Sequence, residues 1–446
     1  MRVHFIGIGG IGLSAIAQIM RSRGHKVSGS DNCPSELTEE LKKQGIEVYD
    51  KHSEENIKDD IELIVYSPAV PDDNVELKKG RETGIKTISY SDALGQLSEE
   101  MYTVAIAGTH GKSTTTAMTA LILDEGGLDP TLVIGTKMPE YENNNYRVGD
   151  SNYLVLEACE YKRTFLTLNP DILIITNIEA DHLDYYKDLD DYCNAFKELI
   201  AKMPEDGTVI INSSDKNAEN IVKEANCQVV RWGDKTKDNY KFINSSLIFN
   251  EAKELSEYSL KIKPGVPGKF NKENAVFAAI AGVILEVDDE KIEKAVSKFK
   301  GTWRRLEVKE TQFKDKIFID DYGHHPTEIA LTLKAIKDEY PNKKMLLIYQ
   351  PHQYSRTHHL LKEFGESFKN ADEVIIPDIY EVRDSQEDKD SVSTDDLVKE
   401  IQKNGVLASN GNGLENTADI IKTRLSEFDL IVTMGAGNID RFYYYL

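Results

Sequence analysis

The chain has 446 residues, 40% of them apolar, and a formal net charge of −22 from 54 basic and 76 acidic side chains. That balance excludes a protein that grips nucleic acid through a broad basic face, and it suits one whose anionic ligands are held locally, with a metal. The length predicts about three domains.

Strand-like and helical patterns alternate throughout, which predicts an α/β protein with mostly parallel sheets. The chain opens in a strand, Val3-His4-Phe5-Ile6, followed by a helix over 11–22 and a second strand, Lys26 to Ser30. Between the first strand and the helix lies Gly7-Ile8-Gly9-Gly10-Ile11-Gly12, and Asp31 ends the second strand. This is a G-x-G-x-x-G turn with an acidic residue beyond it, where a diphosphate can rest on a helix N-terminus. A uridine diphosphate fits as well as a nicotinamide dinucleotide, and a tight turn without ligand is the plain alternative. Ile61 to Ser67 is a later strand of the same unit, and the polar run Ser98-Glu99-Glu100 marks a boundary near 98.

The strand Val104-Ala105-Ile106 leads into Ala107-Gly108-Thr109-His110-Gly111-Lys112-Ser113-Thr114 and a helix. Glycines let backbone N–H groups close on phosphate oxygens, Lys112 supplies a point charge, and the Ser113 hydroxyl can hold Mg²⁺. Ile106 stands where the common phosphate-loop pattern has glycine, so the shorter Gly-Thr-His-Gly-Lys-Ser defines a narrower group. Glu157 ends the strand Tyr153 to Leu156, and Thr176 to Asp184 follows the strand Ile172 to Ile175. Ser113, Glu157 and His182 together could complete one or two Mg²⁺ sites. Histidine is an unusual Mg²⁺ ligand, and an ordinary polar loop is the alternative. Gly268-Lys269-Phe270-Asn271-Lys272-Glu273-Asn274 reads as a loop entering an apolar helix. Its asparagines suit an adenine edge and Phe270 a stacked base, with helix capping by Asn271 the competing reading.

A third unit begins after Gly301-Thr302 and contains the strands 316–319, 345–348, 373–376 and 430–432. Asp321 to Glu328 follows its first strand and Gln350 to His359 its second. Six of the ten histidines of the chain are His182, His324, His325, His352, His358 and His359. Histidine can take a proton from an amine nucleophile, and Arg356 can grip a carboxylate through two N–H bonds. Asp384 to Asp395 reads as a charged, solvated loop. Cys33, Cys159, Cys193 and Cys227 form no C-x-x-C pair and read as reduced thiols. With no secretory segment or membrane span in sight, a cytoplasmic protein is expected.

In their order along the chain these motifs resemble the Mur ligase family, and Asp321-Tyr322-Gly323-His324-His325-Pro326 with Gln350-Pro351-His352 and Tyr354-Ser355-Arg356-Thr357 resemble its alanine-adding members most. The resemblance implies a Rossmann-like N-terminal domain (1–98) for the UDP-sugar, a central P-loop-type ATPase domain (99–302) for ATP and metal, and a Rossmann-like C-terminal domain (303–446) for the amino acid. It implies ATP-dependent joining of L-alanine to the carboxylate of UDP-N-acetylmuramate through an acyl phosphate, in cytoplasmic peptidoglycan precursor synthesis. The catalytic set it implies is Lys112, Glu157, His182 and Arg305. Gly108, Thr109, His110, Gly111, Lys112, Ser113, Thr114, Phe270, Asn271, Asn274, Arg305 and Asp321 would meet ATP. Gly9, Gly10, Ile11, Gly12, Ser30, Asp31 and Ser67 would meet the UDP-sugar, and His325, His352 and Arg356 the alanine. Ser113, Glu157 and His182 would bind Mg²⁺. The partners implied are these small molecules alone, without nucleic acid or membrane, for a monomer or weak homodimer. Two positions depart from the family pattern: Phe270 stands for histidine and Gln353 for arginine. Rival readings are a sibling ligase that attaches a recycled peptide, a nicotinamide-dependent oxidoreductase, and a nucleotide-binding protein without catalysis.

Overall fold

A computed structural model describes residues 1–182, 185–233, 238–243, 245–251, 254–382 and 384–446. Leu183 and Asp184, at the end of the loop read from Thr176, lie outside the described residues. The chain forms two compact units, one of residues 1–265 and 272–300, the other of residues 266–271 and 301–446.

The first unit carries two sheets. The smaller has five parallel strands in the order Glu47–Tyr49, Lys26–Ser30, Arg2–Ile6, Leu63–Tyr66, Lys86–Ser89. The order reverses at Arg2–Ile6, so the glycine loop after it lies at a topological switch point, where such sheets bind ligands. Val3, Phe5 and Ile6 are fully buried, as a strand covered on both faces requires. In the larger, ten-stranded sheet, Tyr102–Ala107 runs parallel between Ile172–Ile175 and Tyr153–Glu157. The loops that leave these three strands therefore open at one end of the sheet. The helix Lys112–Gly126 follows the central strand and buries Ala117, Met118, Ala120, Ile122 and Leu123.

The expectation of parallel strands holds at the centre of this sheet and fails at its margins. Tyr240–Ile243, Ser246–Glu251 and Glu254–Lys261 form an antiparallel meander at one edge, and Asn144–Arg147 pairs antiparallel at the other. These strands are rich in polar residues, so they lack the apolar run that betrays a buried parallel strand.

The second unit has six strands in the order Glu307–Lys309, Ile317–Asp321, Leu430–Met434, Met345–Tyr349, Glu373–Ile376, Leu407–Asn410, all parallel except the first pair. Met345 to Tyr349 is buried at every position. The segments after Ile317–Asp321 and Met345–Tyr349 carry the histidine clusters, and both leave the same, C-terminal, end of the sheet.

The boundary expected at 98 falls inside the helix Tyr90–Glu100, and residues 266–271, expected in the central domain, join the second unit. The stretch from Asp384 to Asp395 is not a loop. It holds the helix Gln386–Ser391 and the start of Thr394–Lys403, each opened by a capping box, Ser385 with Asp388 and Ser393 with Asp396. In each box serine and aspartate satisfy one another's backbone N–H groups; this holds the turn of Gln386–Ser391, which buries no residue, while Thr394–Lys403 also buries Leu397, Val398 and Ile401. All four cysteines are free. Among the described residues no helix is long and apolar enough to cross a membrane.

Candidate active site

The phosphate-type loop is built by its neighbours. The Thr109 N–H donates to the Asn177 carbonyl (2.9 Å) and the His110 N–H to Asn177 Oδ1 (2.9 Å). Thr176 Oγ1 and Asn177 Nδ2 donate back to the His110 carbonyl at 2.6 and 2.9 Å, while Thr109 Oγ1 bonds both backbone groups of Glu179. The loop after the strand Ile172–Ile175 thus acts as a splint for residues 108–111. Gly111, at φ +82°, caps the helix, and a Cβ there would collide with the Asn274 amide, so glycine is required on both counts. Asn274, in the helix Lys269–Ile284, is buried against the loop. Thr114 is buried in the first turn of Lys112–Gly126.

Lys112 Nζ donates to the Gly108 and Thr109 carbonyls (2.5 and 3.2 Å) and to Glu160 Oε1 (3.0 Å). Burial pulls its pKa down, but the facing Glu160 carboxylate outweighs that and the ammonium is held. Glu160 is fully buried; burial raises its pKa, and Lys112 with His182 more than offset the rise, so it stays ionised. The same Glu160 Oε1 lies 3.5 Å from His182 Nε2, and the Tyr161 ring sits 4.9 Å from the His182 ring. His182 is held at φ +54°, its N–H on Asp181 Oδ1 at 2.7 Å.

Ser113 Oγ donates to Glu157 Oε1 and Oε2 (3.0 and 3.1 Å), and the Gly135 N–H fixes Glu157 Oε2 at 2.9 Å. The three expected metal ligands therefore fall into two groups: Ser113 with Glu157, and His182 with Glu160. Ser113 and Glu157 offer converging hard oxygens at a helix N-terminus, a donor set that fits Mg²⁺.

At the first glycine loop, Gly10 caps the helix Ile11–Ser22 without a side-chain bond, and its N–H donates to the Gly7 carbonyl (3.1 Å). Gly12 leaves room for the Tyr90 ring, 2.7 Å from where a Cβ would stand, which makes it a packing glycine. The Ile11 carbonyl accepts from Asn145 Nδ2. Asp31, read as a ribose or base contact, folds back on the loop: it accepts the Gly9 and Cys33 N–H groups, each at 2.9 Å. Ser67 Oγ accepts the Ala69 N–H (3.3 Å). Ser30, read as a sugar-nucleotide contact, is fully buried. Its hydroxyl bonds Glu76 and His52 Nδ1, and its carbonyl takes the Gly7 and Ile8 N–H groups. Burial raises the Glu76 pKa, but bonds from His4, Ser30 and Asn56 outweigh it and hold the carboxyl at about 2. Ser30 is a support of the loop, because a buried carboxylate needs its hydroxyl as donor.

In the second unit the two adjacent arginines separate. Arg304 is 2% exposed and binds Asp320 Oδ2 (2.9 Å) and the carbonyls of Gly435 and Gly437 (2.5 and 3.0 Å). Arg305 is partly exposed, 3.8 Å from Glu328, with its guanidinium over the Tyr322 ring. Asp321 is buried. Its carboxylate accepts the Leu306 and Gly323 N–H groups at 2.9 and 2.8 Å, and burial, opposed by Arg305, pushes its pKa up to about 6.

His352 and Arg356 come together, Nδ1 to Nη1 at 3.5 Å, with the Tyr380 ring stacked 5.8 Å from that of His352 and His324 at 6.0 Å on another side. His325 has a different place: it caps the helix Pro326–Glu339, its Nδ1 accepting the Thr327 N–H (3.4 Å). His358 and His359 are exposed and bond the Ser391 and Ser355 carbonyls. Gln353 turns its amide onto the Val382 carbonyl (3.3 Å), and Phe270 packs on Gly268 beside the core of this unit. Asn271 is buried and donates to the Pro267 carbonyl (2.6 Å). Sequence reasoning missed Glu160, Glu76 and Tyr380 altogether. Glu160 alone had a signal, as a second acid three residues beyond Glu157 at the end of a buried strand.

The family model described as "Mur ligase family, catalytic domain" matches residues 2–102, "Mur ligase middle domain" residues 106–282, and "Mur ligase, glutamate ligase domain" residues 304–437. The chain is 40% identical to the UDP-N-acetylmuramate–L-alanine ligase of Clostridium acetobutylicum over 98% of its own length and 95% of that protein's. It is 40% identical to the enzyme of the same name from Clostridium tetani, over 98% and 96%. Among solved structures it is similar to UDP-N-acetylmuramate-alanine ligase from Thermotoga maritima, with 28% identity, a TM-score of 0.80 and coverage of 100% of this chain and 97% of that one. A murein peptide ligase from Psychrobacter arcticus shares the fold, at 22% identity and a TM-score of 0.73 over 100% and 97% of the two chains. The chain belongs to the Mur ligase family.

Proposed function

We propose that this chain joins L-alanine to the carboxylate of UDP-N-acetylmuramate at the expense of ATP, as a step in peptidoglycan precursor synthesis. The observation that carries the reading is identity to enzymes of that name from end to end, through all three domains of the family. A carboxylate is a poor electrophile at neutral pH. Attack of its oxygen on the γ-phosphorus releases ADP and gives an acyl phosphate. The alanine amine then attacks that carbonyl and expels inorganic phosphate.

The roles of the residues are part of the proposal. Residues 1–98 would hold the UDP-sugar, on Gly9, Gly10, Ile11 and Gly12 with Asp31, Ser67 and, through loop support, Ser30. Residues 99–302 would hold ATP, with Lys112 countering charge on the transferred phosphoryl group and Asn274 at the adenine. Ser113, Glu157 and His182 would hold Mg²⁺, which when bound clamps phosphate and carboxylate oxygens together. Residues 303–446 would bring Arg305 and Asp321 to the nucleotide, and His325, His352 and Arg356 to the alanine. The pairing of Arg356 with His352 at 3.5 Å supports an anion clamp there, since a carboxylate prefers a two-donor partner. The reading includes a cytoplasmic location and a monomer or weak homodimer.

The test is phosphate release from ATP and Mg²⁺ with UDP-N-acetylmuramate, screened against single amino acids and L-alanine-containing peptides. Release that requires both the sugar nucleotide and L-alanine is the expected result. Release with peptide and not with alanine would transfer the assignment to a peptide-adding ligase.

A further inference from the structure

Glu160 lies outside every role assigned so far, yet it is the most deeply buried charge beside the phosphate-type loop. It has no exposed surface. One oxygen, Oε1, faces both Lys112 Nζ (3.0 Å) and His182 Nε2 (3.5 Å). The other, Oε2, is buried with no hydrogen-bond partner among the described residues. The backbone around it is fixed tightly. Tyr186 donates its hydroxyl to the Glu160 carbonyl, the Arg163 N–H closes on the same oxygen at 2.9 Å, and Lys162 and Arg163 both take left-handed φ, +53° and +58°. Such a backbone persists only where its surroundings over-determine it, often at a functional site. A carboxylate is expensive to bury, and a fold that needed only packing would have an apolar side chain here.

We infer that Glu160 is a positioning residue for phosphoryl transfer: its carboxylate aims Lys112 and His182 from the strand end next to Glu157. This inference rests on the ligase reading above. Glu160 meets the charge of Lys112 within the protein, so a triphosphate competes for that lysine with an anion already in contact with it. Glu160 also repels the triphosphate directly. Both effects make Glu160 weaken ATP binding while it improves the geometry in which the bound ATP reacts.

The experiment measures ATP affinity by calorimetry, with and without Mg²⁺, alongside kcat and KM, for wild type, Glu160→Gln and Glu160→Asp. Glu160→Gln removes the charge in a side chain of the same size. ATP should then bind about three- to tenfold more tightly without Mg²⁺, and kcat should fall by at least about tenfold. Glu160→Asp keeps the charge but draws it back by one methylene. Its ATP affinity should stay within about twofold of wild type, and its kcat should still fall about fivefold or more. The Asp variant decides the matter if the Gln variant does not fold. A purely structural role would lower the thermal midpoint and the active fraction together, without tightening ATP. Weaker ATP binding in Glu160→Gln, or a kcat within about twofold of wild type in either folded variant, would overturn the inference. A wild type that binds ATP but joins no alanine would instead overturn the ligase reading, and the binding arm would still decide whether Glu160 opposes the nucleotide.

Discussion

Arg304 and Arg305 are adjacent in sequence, and the structure predicts opposite consequences for their loss. Arg304→Ala removes a guanidinium that is 2% exposed, with its bonds to Asp320 and to the carbonyls of Gly435 and Gly437. Asp320, fully buried, keeps among the described residues the Thr433 hydroxyl at 2.6 Å. Breaking a buried pair by deleting one partner costs about 3–5 kcal/mol, since the other charge stays behind. For a unit of some 150 residues that is a fall of roughly 6–20 °C in the unfolding midpoint. Burial already raises the Asp320 pKa, and Arg304 opposes the rise. Without Arg304 it rises further. A carboxyl whose folded pKa lies above its unfolded value binds its proton more tightly when folded, so stability falls as pH rises through that window. The deficit of Arg304→Ala should therefore be larger at pH 8 than at pH 5. Arg305→Ala loses a partly exposed pair at 3.8 Å and a contact with the Tyr322 ring, worth about 1 kcal/mol together. Its midpoint should move by less than about 4 °C, while alanine-dependent phosphate release should fall roughly 100-fold or more. Calorimetric scans at the two pH values, with initial rates on the same preparations, test the pair. Equal shifts in both variants, or an Arg304→Ala protein within about 2 °C of wild type, would refute the division between a structural and a functional arginine.

Arg356→Ala should raise the KM for L-alanine at least about tenfold and leave the KM for ATP nearly unchanged; initial-rate matrices in both substrates would show equal rises if Arg356 is no alanine clamp. Glu157→Gln should raise the Mg²⁺ concentration for half-maximal rate by roughly 10- to 100-fold, whereas an unchanged Mg²⁺ dependence would remove Ser113 and Glu157 from the metal. Asp321, raised to about 6 by burial that Arg305 only partly offsets, binds its proton more tightly folded than unfolded, so it should lower stability as pH rises from about 4 to 6. That slope amounts to about 2–3 kcal/mol, and Asp321→Asn should flatten it in denaturant titrations run across the range; a slope that survives the substitution belongs to another group.

What could be read from the sequence was what chemistry places in a local run. A glycine-rich turn between an apolar strand and a helix needs no tertiary information, because the strand, the turn and the helix N-terminus are all written within a dozen residues. Lys112 and Ser113 are candidates for that reason, and Glu157 is one because ligands gather at the ends of parallel strands. The margins of the ten-stranded sheet were not legible, since their sequences lack the long apolar run of a strand buried on both faces. Nor was the helix within Asp384 to Asp395, where charge alone reads as a solvated loop and the helical turns rest on capping boxes.

Harder to foresee was the direction in which a polar side chain points. Ser30 ends the strand Lys26–Ser30 and Asp31 follows it directly. One hydroxyl turns into a buried network around Glu76, and one carboxylate folds onto the Gly9 N–H. Both are short polar side chains at the C-terminal end of one strand, and that local signal does not tell the two outcomes apart. The difference lies in Glu76 and His52, brought up from later segments of the chain. Glu160 shows the same limit from the other side: its neighbours Lys112 and His182 are 48 and 22 residues away, and nothing local announces that one carboxylate serves both. A motif identifies the atoms that can touch a phosphate or a metal. The charge that holds those atoms in place comes from wherever the fold can supply a buried partner, and it has to be found from distance and burial.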